Sequence, residues 1–208
     1  MRSCEKMPDP HFLERLEATD LYCRLKFGMN RRLLGFFDEH VLRGGSDLYT
    51  AELACGSGYG THLLASNQSV RLGVAADINT DLLTQHSPGE YAADFVVSDI
   101  FYPSFAPESF DLVWNSSSLE HFENPEEALR QMASLTKPNG HVFVGVPYLA
   151  GPLGLYFLTP RRSWREWLGR PYSLSALKGL FRKCDLQVEQ QLVYSCRFFI
   201  GVLGRKVC

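Results

Sequence analysis

From about residue 48 onward, short apolar runs alternate with stretches in which apolar residues recur every three or four positions. The runs predict strands at 49–54, 71–76, 94–98, 110–115, 141–146, 186–194 and 197–203, and the helical spacing predicts helices at 60–66, 79–86, 125–136 and 174–183. Upstream, residues 11–42 read as helical. Phe12, Leu13 and Leu16 form one apolar face, and Leu33, Phe36, Phe37 and Val41 form another. Gly28-Met29-Asn30 is expected to separate the two, and Gly44-Gly45-Ser46 to end the second. Strands alternating with helices build a parallel sheet covered on both faces. The last two strands leave no room for a crossover helix, so they are expected to pair as an antiparallel hairpin.

The helix at 125–136 is the best signed. Asn124 can cap it, Pro125 suits the first helical position, and Glu127 stands three residues past the cap. Ala128, Leu129, Met132 and Leu135 make its inward stripe, and Lys137-Pro138-Asn139-Gly140 is expected to stop it before the strand His141–Val146.

Composition narrows the class. The chain has 208 residues, 45% hydrophobic and 21% charged, which suits one globular domain with a sizeable core. A formal net charge of −2 gives no global attraction to nucleic acid or membrane. No apolar run approaches the roughly 20 residues that span a bilayer. The first ten residues contain Arg2, Glu5, Lys6 and Asp9 and no apolar core of a secretory signal. Cysteines 4, 23, 55, 184, 196 and 208 are dispersed without a C-x-x-C pair, so they are expected to be reduced thiols in a cytoplasmic protein.

The chemistry concentrates in Glu52-Leu53-Ala54-Cys55-Gly56-Ser57-Gly58-Tyr59-Gly60. Glycines at alternate positions let the backbone turn sharply and expose N–H groups to a ligand lying on the loop. A dinucleotide loop spaced G-x-G-x-x-G from Gly56 needs a glycine where Thr61 stands. Glu52, at the end of the preceding strand, favours a cationic ligand over a pyrophosphate.

This segment resembles motif I of the class I S-adenosylmethionine-dependent methyltransferases, and the resemblance extends over about residues 48–204 in an ordered series of motifs. It implies an α/β, Rossmann-like doubly wound fold: a seven-stranded, mostly parallel sheet with an antiparallel C-terminal strand, strand order 3-2-1-4-5-7-6, and helices on both faces. It also implies S-adenosyl-L-methionine as cofactor, S-adenosyl-L-homocysteine as product, and no metal. Glu52, Cys55, Gly56, Ser57, Gly58, Tyr59 and Gly60 are the first cofactor-binding group. Asp77 would accept hydrogen bonds from the ribose hydroxyls while Ile78 lies against the purine; Asn79 or Thr80 is better placed than Asp77 to cap the next helix. Asp99, with Ile100, would meet the adenine. Asn115, Ser116 and Leu119, after the fourth strand, would adjoin the sulfonium end.

Asn115-Ser116-Ser117 departs from the Asn/Asp-Pro-Pro-aromatic motif of enzymes that methylate adenine N6 or glutamine amides. Oxygen, ordinary nitrogen, carbon and sulfur acceptors stay open. His121, in the run Leu119-Glu120-His121-Phe122, is the candidate general base, though Glu-His in relatives also fits a packing role. His62 is expected on the helix surface or beside the cofactor, and His11, His40, His86 and His141 lack metal-ligand spacing. Residues 1–45 are expected to form lid or acceptor-side helices ahead of the cofactor domain, 46–208. An insertion at about 147–172 carries Arg161, Arg162, Trp164, Arg165 and Trp167, which suit an anionic or aromatic acceptor, an interface, or a solvated helix face. Lys183-Cys184-Asp185-Leu186 replaces the Ala-Gly-Phe that often ends the last helix in relatives. The functional expectation is methyl transfer to a small molecule. The alternatives are a catalytically silent cofactor-binding partner subunit and an RNA or protein methyltransferase; the glycine spacing disfavours a nicotinamide oxidoreductase.

Overall fold

The computed structural model describes residues 20–83, 92–156 and 169–207. Its strands are β1 (Leu48–Leu53), β2 (Val70–Asp77), β3 (Asp94–Val97), β4 (Phe110–Ser116), β5 (Thr136–Pro147), β6 (Leu186–Tyr194) and β7 (Phe199–Lys206). They are ordered β3-β2-β1-β4-β5-β7-β6. β1 pairs in parallel with both β2 and β4, so strand order reverses between β1 and β4. β7 runs antiparallel between β5 and β6.

The helices are α1 (Asp20–Phe37), α2 (Tyr59–Ala65), α3 (Thr80–Leu83), α4 (Pro125–Leu135), α5 (Pro152–Tyr156) and α6 (Leu174–Lys183). Alternation along the strands sorts the core into two faces. Val113, Val142 and Val144 join Ala128, Leu129 and Met132 of α4 and Leu177 and Phe181 of α6 on one face. Leu112, Trp114 and Phe143 join Leu33, Phe36 and Phe37 of α1 and Leu64 of α2 on the other. All four residues of the α4 stripe are buried, and Asn124 caps the helix by accepting from the Glu127 N–H at 3.2 Å.

Two local expectations change. α1 runs unbroken through Gly28-Met29-Asn30 and widens into a π-helical turn, Asp38–Leu42. Glycine costs a helix interior about 1 kcal/mol, less than the gain from burying Leu33, Phe36 and Phe37 against the sheet. Lys137–Gly140 does not stand apart as a turn. Thr136 already pairs with Phe110, and the register then jumps so that Leu112 pairs with His141. The intervening residues bulge, with Asn139 left-handed at φ 63°. α6 ends at Cys184, and Asp185 takes the left-handed position at φ 57°.

The expected helix over 11–19, the second half of that at 79–86, His11, His86 and the Arg/Trp segment 161–167 lie outside the described residues. No described helix is long and apolar enough to cross a membrane. Among the described residues Cys55, Cys184 and Cys196 are free.

Candidate active site

β1 ends where Ala54 turns left-handed (φ 53°), and the Cys55 N–H still reaches β2 by donating to the Ala76 carbonyl at 3.1 Å. Gly56 (φ 58°) and Gly58 (φ 66°) then reverse the chain, and the His62 N–H donates to the Gly58 carbonyl at 2.9 Å as α2 begins. Gly58 is held from below: a Cβ there would lie 2.6 Å from the Phe95 ring and 3.0 Å from Ala75. Above Gly56 the space is open, and a Cβ would meet no protein atom within 4 Å. The two glycines therefore give different expected costs. Gly56→Ala costs only its left-handed strain, about 1–2 kcal/mol, whereas Gly58→Ala adds overpacking for a total of about 2–4 kcal/mol. Urea unfolding of the two variants checks the difference, and equal losses refute the close packing under Gly58.

The acidic residues sit around this loop. Glu52 is buried, and its Oε2 accepts the Thr61 hydroxyl hydrogen. Asp77 Oδ2 accepts the Gly56 N–H at 2.7 Å and Oδ1 accepts the Asn79 N–H at 2.9 Å. Each carboxylate oxygen keeps a lone pair for another donor. Asn79 Oδ1 accepts the Asp81 N–H at 3.0 Å and so caps α3, which leaves Asp77 to the glycine loop. The Cys55 thiol is pushed up by burial, then by the charges of Glu52 and Asp77, so it stays protonated and is a poor nucleophile.

Beyond β2, Ile78 is 66% exposed and Tyr102 72% exposed. Asp99 Oδ1 accepts the Phe101 N–H at 2.9 Å, and its carbonyl accepts the Tyr102 N–H at 3.1 Å. Ile100 is buried in the core and offers nothing to a cleft. His62 Nδ1 accepts the Ala92 N–H at 2.9 Å and ties α2 to the chain before β3. Its neighbour Tyr59 lies with ring centroids 6.2 Å apart.

The loop after β4 is fastened to the end of β1. Asn115 is fully buried; its amide donates to the Leu53 carbonyl, and its Oδ1 accepts the Leu119 N–H at 3.3 Å. Ser118 Oγ donates to the Ala54 carbonyl at 3.0 Å. Both ends of Asn115 are thus engaged, and Leu119 is wholly buried in the core, so these two residues shape the loop from inside. Asn115→Ala strands a buried carbonyl and a buried N–H, and is expected to lower unfolding stability by about 2–4 kcal/mol. A denaturation midpoint unchanged from the parent refutes that role.

Ser116 Oγ lies 3.2 Å from the Tyr194 hydroxyl, which β6 brings to the same edge. Ser117 is left-handed (φ 65°) with a buried hydroxyl that has no partner among the described residues. The short 3₁₀ turn Leu119–His121 then sends Glu120 inward and leaves His121 at the surface. Desolvation on its inner side lowers the His121 pKa, so the exposed ring is neutral at pH 7. Burial pushes the Glu120 carboxyl up to about 8.

The structure therefore gathers Glu52, residues 55–60, Asp77, Ile78 and Asp99 around one edge, with Ser116 on its β4 side. It withdraws Ile100, Asn115 and Leu119 into the interior. Thr61, Glu120 and Tyr194 also stand at this edge and were not singled out in the sequence. Only Glu120 carried a local signal, its place beside His121 in the post-β4 loop. Among the described residues no group of His, Cys, Asp and Glu is disposed to hold a metal ion. His40 packs edge-on against Phe36, and His141 Nε2 pairs with Glu189 at 3.1 Å.

Residues 51–144 match a family model described as a methyltransferase domain. The chain carries a methyltransferase domain on the fold of the class I S-adenosylmethionine-dependent methyltransferases. A search of curated protein sequences found no match. Among solved structures, the chain is similar to a possible histamine N-methyltransferase from Thermotoga maritima (TM-score 0.71, 16% identity, 94% of this chain and 97% of that one). It is also similar to the Burkholderia thailandensis 1,6-didemethyltoxoflavin-N1-methyltransferase, with its substrate and S-adenosylhomocysteine bound (0.64, 15%, 99% and 94%). A third is a putative methyltransferase in complex with the Trm112 activator from Haloferax volcanii (0.68, 17%, 98% and 100%). Methyltransferase domains of this fold take S-adenosylmethionine, which supplies a methyl group already activated on a sulfonium sulfur. The open space above Gly56, the lone pairs left on Asp77 and the exposed Ile78 side chain fit such a molecule.

Proposed function

We propose that this methyltransferase acts on a small-molecule acceptor, at an oxygen, nitrogen or carbon atom. Glu52 and the 55–60 loop hold the amino-acid end of the cofactor, Asp77 the ribose, and Ile78 with Asp99 the adenine. Asn115 and Leu119 act from beneath by fixing the loop on which Ser116 stands. The observation that carries this reading is the roof over the acceptor side. The Arg170 N–H donates to the Glu120 carbonyl at 2.9 Å, and the Leu149 N–H to the Tyr172 carbonyl at 2.9 Å. The chain from 169 to 172 is thus fastened over the post-β4 loop, which supports a compact acceptor. A net charge of −2 also disfavours a nucleic-acid acceptor. With the acceptor held about 3 Å from the methyl carbon and in line with the breaking C–S bond, positioning is the protein's main contribution.

The test is an unbiased screen of a metabolite extract with an isotopically labelled methyl donor and the pure protein. Label appearing in a small metabolite supports the reading, and label found only in RNA or protein overturns it. Similarity to the Trm112-bound enzyme supports a second reading, in which a small activator subunit is needed. Activity that appears only on co-expression with such a subunit favours it.

A further inference from the structure

Glu120, in the post-β4 loop, has no part in the proposed cofactor site. It is 5% exposed, and its Oε2 is buried without a hydrogen-bond partner among the described residues. It is also roofed. Gly169, left-handed at φ 62°, passes so close that a Cβ there would lie 2.7 Å from Glu120 Cγ. Near it stand two phenols: Tyr172 from the roof, raised by burial, lowered by the Arg170 charge and raised by Glu120, and Tyr194 from β6, raised by burial, lowered by its hydrogen bond with Ser116 and raised by Glu120. Arg170 binds Glu120 through its backbone and keeps its own side chain exposed. His121, next in the chain, points outward. No described lysine or arginine pairs with the carboxyl. The Tyr194 ring stacks on Phe199 with centroids 5.6 Å apart, and its hydroxyl meets Ser116.

A buried carboxyl with an unused oxygen, near two phenols and with no positive side chain paired to it among the described residues, is half of an ion pair. We propose that the acceptor supplies the other half: the methyltransferase takes a protonated amine, and Glu120 is the residue that recognises it. This deepens the small-molecule reading and rests on it. Seated there, the ammonium passes one proton to the Glu120 carboxylate, which leaves the nitrogen lone pair free. The nitrogen bonds to the methyl carbon, the C–S bond breaks with its electrons staying on sulfur, and the product leaves as a methylated ammonium. A carboxyl whose pKa lies close to neutral suits this exchange.

The test uses the full-length protein loaded with S-adenosylhomocysteine and a calorimetric panel of primary and secondary amines, including 2-phenylethylamine, set against matched alcohols and carboxylates such as 2-phenylethanol and phenylacetate. Titrations in buffers of different ionisation enthalpy count protons. At pH 7, amine binding is expected to release close to one proton, falling toward none at pH 9.5, and to exceed alcohol and carboxylate binding at least tenfold. Glu120→Gln is expected to abolish both the release and the preference. An arginine of segment 161–165 paired with the carboxyl would leave it ionised beforehand, and no proton would appear at pH 7, which overturns the proposal even if Glu120→Gln fails to fold. Equal binding of amines and alcohols overturns it too. So does a Glu120→Gln variant that loses affinity for S-adenosylmethionine but not for S-adenosylhomocysteine, because the carboxyl then serves the sulfonium. Binding of S-adenosylhomocysteine with indifference to amines sinks this inference alone, whereas label from the donor screen found only in macromolecules sinks the small-molecule reading beneath it.

Discussion

Asp77→Ala is expected to weaken S-adenosylhomocysteine binding by about tenfold to a hundredfold, the loss that accompanies about 1–3 kcal/mol. Two effects add. The ribose hydroxyls lose their acceptor, and the Gly56 and Asn79 N–H groups lose theirs, so the loop on which the cofactor lies is no longer held in shape. Asp77→Asn separates them. An Asn oxygen can keep one backbone donor but offers an N–H where Asp offers a second acceptor, so an intermediate loss is expected. Calorimetry on the three proteins decides. An Asp77→Ala variant that binds as tightly as the parent refutes the assignment, since Asp77 alone accepts both the Gly56 and the Asn79 N–H among the described residues.

Glu120→Gln is expected to stabilise the fold at alkaline pH. Burial raises the Glu120 carboxyl from an ordinary 4.5 to about 8. Below about pH 4.5 the group is protonated whether the chain is folded or not, and its full contribution is present. Between about pH 4.5 and 8 the unfolded chain releases the proton while the folded chain retains it, so stability falls as pH rises. Above about pH 8 the folded protein holds an ionised carboxylate with no described partner and the loss is complete, about 5 kcal/mol at most. Glutamine keeps the shape without the ionisation. The gain of Glu120→Gln over the parent, read from urea unfolding at pH 5, 7 and 9, should therefore grow with pH. A gain that is flat across this range refutes the buried proton. A natural sequence keeps such a costly group where function requires it.

His121 and Glu120 show why the reading of function stopped short at this loop. The sequence singles out His121 alone as a candidate, because its ordinary pKa lies near neutrality, although Glu120 stands beside it. A single 3₁₀ turn decides between them, sending Glu120 under the 169–172 roof and His121 to solvent. Burial then moves the carboxyl's pKa close to neutrality. Neither the direction of the turn nor the roof is written in the local pattern. The roof comes from residues some fifty positions later in the chain. Asn115 makes the same point in reverse: read as a cofactor contact, it is spent on joining β4 to β1 through Leu53 and Leu119.

What the sequence determined by itself was whatever depends on neighbours along the chain. Period-two and period-3.6 apolar spacing placed seven strands and the α4 and α6 helices, because side-chain direction follows directly from local backbone geometry. The Asn124 cap and the left-handed loop glycines were legible for the same reason: each is satisfied within a few residues. The tertiary structure alone decided what depends on residues far apart. It carried α1 through Gly28, because burial against the sheet outweighs a glycine's helix cost. It bent β5 at Lys137–Gly140, where pairing with β4 holds the chain. It also set which of two neighbouring ionisable side chains lost its water, since desolvation is a property of everything packed around a group and not of the group's own segment.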